Sequence, residues 1–158
     1  MLSRSRSLLE IEDIGLCNNG GFPKLNYYTP LQVLQKISVL KPQDDNYNCF
    51  AYAFHVFDEW LYPDNYGHGL IGMDRFAEEW GYYRLERMNL KFLRNALKVA
   101  IYAKEDGSIA HAALRVPNGW ESKLGAGCII SHKDLAYLSG PLYGSPIAIY
   151  RTFIGGFR

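Results

Sequence analysis

The chain has 158 residues, of which 48% are hydrophobic, 15% aromatic and 21% charged, enough apolar side chain for a packed core and too much for a disordered chain. Lys and Arg number 17 against 16 Asp and Glu, so no basic excess exists to meet a run of phosphates or an anionic bilayer, and neither nucleic acid nor membrane is the expected partner. The length points to one domain.

Cys17, Cys49 and Cys128 are an odd, widely spaced set with no C-x-x-C pair, so neither a disulfide framework nor a thiolate zinc site is expected, and a reducing compartment is the simpler reading. The N-terminus offers only Leu8 and Leu9 where a secretory signal needs roughly seven or more apolar residues. No apolar run approaches the ~20 residues that span a bilayer. A cytoplasmic location is expected, or export without a cleavable signal.

In chain order, residues 1–45 form a weakly patterned, partly helical N-terminal segment. Pro30 sits well at a first helical turn, and Leu31, Leu34, Ile37 and Val39 are spaced for a short amphipathic helix ended by Lys41-Pro42. From residue 46 to 158 the pattern strengthens. Asn48 is a good N-cap, and Phe50, Ala53, Phe54, Phe57 and Leu61 make the apolar stripe of a buried helix closed by Pro63. A second helix is expected from Asp74 as N-cap to Gly81. The period then changes. Lys98–Ala103, Ile109–Val116, Trp120–Leu124 and Pro146–Arg151 read as strands, joined by hairpin turns at Glu105-Asp106-Gly107 and Pro117-Asn118-Gly119. Ser131 and Asp134 suggest a cap for a short helix through Leu138. Helices first and antiparallel strands second predict an α+β fold.

Cys49 follows the N-cap directly, where free backbone N–H groups and the helix dipole favour a thiolate. His111 lies in mid-strand among small residues, Ile109-Ala110-His111-Ala112-Ala113, as a cleft wall would require. Each has a bland alternative: Cys49 as a small core residue, His111 as a buried histidine bonded to its surroundings.

A cysteine at a helix start followed by a histidine on the first hairpin of an antiparallel sheet resembles the papain-like cysteine hydrolases, including the NlpC-type peptidases and the CHAP amidases. The stretches Asn48-Cys49-Phe50-Ala51-Tyr52-Ala53, His111-Ala112-Ala113, Trp120-Glu121-Ser122-Lys123-Leu124-Gly125 and Gly140-Pro141-Leu142-Tyr143-Gly144 are also similar to small bacterial proteins of that superfamily. The resemblance implies a papain-like core, with a nucleophile helix packed on an antiparallel sheet of about four to five strands. It makes Cys49 the nucleophile, His111 the general base and Gln43, six residues before the cysteine, the oxyanion donor. No cofactor and no metal are implied. His55, His68 and His132 lack the short spacing of a zinc site, and Cys17 and Cys128 receive no role.

The third catalytic member depends on hairpin register. With Asn118-Gly119 as a two-residue turn, Ser122 shares the His111 face but lies about 13 Å along the hairpin from the residue opposite His111; a loop one residue longer brings Glu121 and Lys123 to that face instead. Glu121 leads by chemistry because a carboxylate accepts the ring N–H, Ser122 follows, and Lys123 cannot accept. The expected activity is thiol-dependent hydrolysis or acyl transfer at an amide of a protein or peptide substrate. Two alternatives stand beside it: a non-catalytic module holding a protein partner or inhibitor, and a bacterial effector or toxin domain. The loop Tyr62–Gly69, rich in aromatics and glycine, is either a substrate-facing segment or plain surface.

Overall fold

The structure is a computed structural model that describes residues 37–86 and 96–152. Seven strands, β1 (Ile37–Lys41), β2 (Tyr82–Arg84), β3 (Lys98–Ala103), β4 (Ile109–Val116), β5 (Gly119–Lys123), β6 (Ile129–His132) and β7 (Ser145–Thr152), form one sheet in the order β1-β6-β5-β4-β3-β7-β2. Every pairing is antiparallel. Among the described residues two short α-helices accompany it, α1 (Cys49–Ala53) and α2 (Gly69–Glu79). The expected α+β papain-like core with four to five strands is therefore corrected: the described residues make a β-rich domain on a seven-stranded sheet.

Three strands account for much of the difference. β1 occupies part of the stretch expected to be helical, whose beginning, residues 31–36, lies outside the described residues. Six apolar side chains in the ten residues 31–40 satisfy a helical and an extended pattern almost equally, and pairing with β6 decides for the strand. β2 has three residues and β6 four, with Ile129 and Ile130 both buried, so neither shows an alternation long enough to read.

The remaining difference is the length of α1. Asn48 caps it as expected, its Oδ1 accepting from the Ala51 N–H at 3.0 Å. The same side chain also donates from Nδ2 to the Leu61 carbonyl at 2.7 Å and accepts from the Leu61 N–H at 3.2 Å. One asparagine thus draws residue 61 back beside residue 48, which a continuous helix over that span cannot allow, since it would carry them nearly 20 Å apart. The helix stops after Ala53, and His55 turns into the left-handed region at φ 63°. Phe57, on the expected buried stripe, is 54% exposed.

The β3–β4 hairpin forms where turn chemistry places it. In the β3–β4 turn the Lys104 N–H donates to the Ser108 carbonyl at 2.9 Å, and Asp106 Oδ1 accepts from the Ser108 N–H and hydroxyl. Helix α2 begins five residues before Asp74, at Gly69, and its Gly72 has no room for a side chain: an ideal Cβ there would stand 1.8 Å from the Gly67 carbonyl oxygen. The 134–138 segment is a 3-10 turn, Leu135–Leu138, without a side-chain cap.

Both sheet faces are covered, so β3 is buried along its whole length. One face carries Ala100, Tyr102, Ala113, Trp120, Leu124, Ile130 and Ile149 under Leu138 and Tyr143. The other carries Val99, Ile101, Ala112, Ala148 and Tyr150 under Cys49, Phe50, Phe54 and Phe76 of the helical layer.

Candidate functional site

Cys49 opens α1 and packs in the same cluster as Ala112 of β4. Burial pushes its thiol up to about 12, outweighing the backbone N–H groups of Ala112, Phe50 and Cys49 itself and the Lys123 charge, which act in the other direction. The side chain is a neutral thiol at physiological pH.

His111 is the neighbour of Ala112 on β4, and successive strand residues project to opposite faces. It lies opposite Tyr102 in the β3–β4 register and packs with the rings of Tyr102 at 5.2 Å and Tyr143 at 4.5 Å, members of the cluster on the face away from α1. The structure therefore does not bring Cys49 and His111 together: the β4 backbone runs between them. The charges each one feels come from elsewhere, Lys123 for Cys49 and His132 for His111.

The structure does unite His111 with Ser122. The turn is Pro117-Asn118 rather than Asn118-Gly119, since Val116 opposes Gly119, Arg115 opposes Trp120 and Leu114 opposes Glu121. That register is two residues tighter along the hairpin, which keeps Ser122 on the His111 face and closes the expected gap of about 13 Å. His111 Nε2 is 3.0 Å from Ser122 Oγ, Ser122 Oγ is 2.8 Å from His132 Nε2, and His132 Nδ1 is 3.0 Å from the Asp134 carbonyl oxygen.

The proton positions follow from the far end of this chain. A carbonyl can only accept, so neutral His132 carries its proton on Nδ1 and leaves Nε2 as an acceptor. The Ser122 hydroxyl donates to that Nε2, and its oxygen accepts from His111 Nε2–H. Each group is used once, and His111 Nδ1 is left as a bare, buried acceptor with no partner among the described residues. His111 and Ser122 are fully buried and His132 nearly so. Burial, and then the neighbouring His132 charge, lower His111 to about 3, and burial also lowers His132 against the pull of Asp134.

The other expected site residues lie apart. Glu121 is on the α1 side, where its Oε1 accepts from the Tyr52 hydroxyl at 2.7 Å; burial and then this carboxylate push the Tyr52 phenol up. Gln43 is exposed on the loop between β1 and α1, lining a hollow of about 510 Å³ with Asp44, Asp45, Asn46 and Ala126. His55 is exposed, and His68 Nε2 lies 3.3 Å from the Asp106 carbonyl oxygen. No group of three or more metal-ligating side chains occurs among the described residues. Cys128 is disulfide-bonded, which cysteine spacing did not suggest. The Tyr62–Gly69 loop is pinned to α2, with the Tyr66 hydroxyl donating to Glu79 at 2.6 Å and Arg75 to the Tyr66 carbonyl at 3.3 Å.

Two residues matter more than their sequence positions suggested. Lys123, set aside because it cannot accept a hydrogen bond, is fully buried behind α1, donating to the carbonyls of Asp44 and Gly125 and lying 4.9 Å from the centre of the Tyr47 ring. Its charge ties the β1–α1 loop to the β5–β6 turn. His132, weighed only as a metal ligand, completes the buried polar chain. Alternation of β6 against β5 would have flagged it, had β6 been legible.

The fold and these polar groups define a β-rich, seven-stranded domain with a buried His-Ser-His chain on one face and a capped cysteine helix on the other. Residues 38–151 match the model of a family described as a domain of unknown function, DUF7689, and the chain belongs to that family. No curated protein and no solved structure matches it. Among the described residues no helix is long and apolar enough to cross a membrane.

Proposed function

We propose that this domain is a non-catalytic protein-binding module. The carrying observation is that Cys49, on α1, and His111, on β4, lie on opposite sides of the sheet, with His111 already committed to Ser122. A thiol whose acidity is suppressed to about 12 and which has no imidazole beside it lacks the activation that a cysteine nucleophile needs. What the domain does present is surface: Phe57, Trp60 and Tyr62 stand exposed in one loop, and exposed aromatic side chains close together are the usual signature of a contact site.

Native protein treated with iodoacetamide at about pH 7.5 tests this reading. With so little thiolate, Cys49 should be alkylated at least a hundredfold more slowly than a free cysteine, whose pKa is about 8.5, and at the free rate once urea unfolds the chain. Alkylation of native Cys49 as fast as a free cysteine would overturn the module and restore the thiol-hydrolase reading.

A further inference from the structure

The segment after α1 has a second property besides its aromatics, and this inference, which rests on the binding-module reading, concerns the chemistry of the partner. Tyr47, Tyr52 and Phe57 form a three-ring cluster with centroids 5.7 to 6.4 Å apart. Trp60 and Tyr62 form a second ring pair at 6.4 Å later in the same loop, and the Trp60 indole N–H donates to the Asp45 carbonyl at 2.6 Å, which fixes this ridge of chain against the β1–α1 loop two residues from Tyr47. Phe57 and Tyr62 are each 54% exposed and Trp60 37%.

The charge is one-sided. Between residues 44 and 66 the chain carries Asp44, Asp45, Asp58, Glu59 and Asp64 and not one Lys or Arg. All but Asp44 are exposed, and Asp44 is half-exposed. Glu121 adds a sixth carboxylate beside Tyr52. Lys123, 4.9 Å from the centre of the Tyr47 ring, is buried beneath it and spends its donors on backbone carbonyls, so it is not offered to a partner. Its position shows that the ring cluster already accommodates an ammonium on its inner side.

Exposed ring faces interleaved with carboxylates favour one ligand chemistry. A guanidinium or ammonium gains from the quadrupole of each ring and from each carboxylate, and an arginine can stack flat on Tyr or Trp while its fork meets an acid. We propose that this ridge docks an arginine- or lysine-rich segment of a partner protein. Neutral polysaccharide also stacks on aromatic rings, but it gains nothing from the one-sided charge, so the observations favour the basic segment.

The test is titration of the full chain with a nona-arginine peptide, with nona-glutamate and a linear glucose hexamer as controls. Nona-arginine should bind at about 50 mM salt and weaken severalfold by about 300 mM, as screening of exposed charges requires. Phe57→Ala with Tyr62→Ala should weaken it about fivefold or more, two exposed cation–π contacts at two- to threefold each. Asp58→Asn with Glu59→Gln should weaken it severalfold at low salt and leave binding at high salt nearly unchanged. Both pairs are exposed, and unchanged thermal midpoints would show that the fold is intact. No binding of nona-arginine, binding indifferent to both variants, or equal binding of the glucose hexamer would overturn the inference. The two readings fail separately: reactive native Cys49 removes the binding module, whereas an inert Cys49 with no peptide binding removes only the basic partner.

Discussion

The buried polar chain makes acid stability the sharpest quantity to measure. His111 has its folded pKa lowered to about 3 by burial and by His132, against about 6.5 in the unfolded chain. A base with a lowered folded pKa binds fewer protons folded than unfolded below that value. Its contribution is therefore intact above about pH 6.5 and lost as the pH falls from there toward 3. Between pH 6.5 and 4.5 the loss is two pH steps at about 1.4 kcal/mol each, or about 3 kcal/mol. His132 is lowered too and adds to the loss as the pH falls below about 6.5. For a domain of this size that is a fall of roughly 6–12 °C in thermal midpoint. Asp106 does not mimic it, because this carboxylate, held low by the Ser108 hydroxyl and N–H, loses its contribution only below its ordinary value near 4. The assay is urea denaturation from pH 8 to 4.5 on the wild type and on His111→Asn. At pH 8 the variant should cost about 1–3 kcal/mol through the disturbed Ser122 bond. Its stability should fall with pH less steeply by about one proton, or about 1.4 kcal/mol per pH unit. A wild type of constant stability across this window, or a variant with an unchanged slope, would refute the assignment of a neutral, buried His111.

Asn48→Ala removes the α1 cap and both bonds to Leu61, so it should destabilise by about 2–3 kcal/mol and open residues 54–61 to limited proteolysis; unchanged cleavage would show that Asn48 does not hold the loop. Gly72→Ala drives a methyl group toward the Gly67 carbonyl, 1.8 Å from an ideal Cβ, and should cost about 3 kcal/mol or give little folded protein, as circular dichroism melts would reveal. A wild-type midpoint for that variant would mean that α2 does not pack against residue 67 as described.

What the sequence by itself determined is what short-range chemistry controls. Asn48 was legible as a cap because its oxygen meets an N–H three residues away, and the β3–β4 hairpin because Asp106 and Gly107 satisfy a tight turn locally. That Ser122 shares a face with His111 was one of two registers the sequence left open, the other bringing Glu121 there; the observed pairing selects the Ser122 parity, which survives a register shift of two. The tertiary structure decided the rest. Alternation dictates that His111 and Ala112 point to opposite faces, but not which of them meets α1; the small Ala112 lets the helix approach, and the imidazole is left to Tyr143 and Ser122 on the other side. The end of α1 was hidden because its cap also clamps residue 61, a bond to a residue thirteen places away that no helical periodicity anticipates. Strands β1 and β6 exist through each other, since four or five residues carry too little pattern to be distinguished until a partner strand supplies their hydrogen bonds.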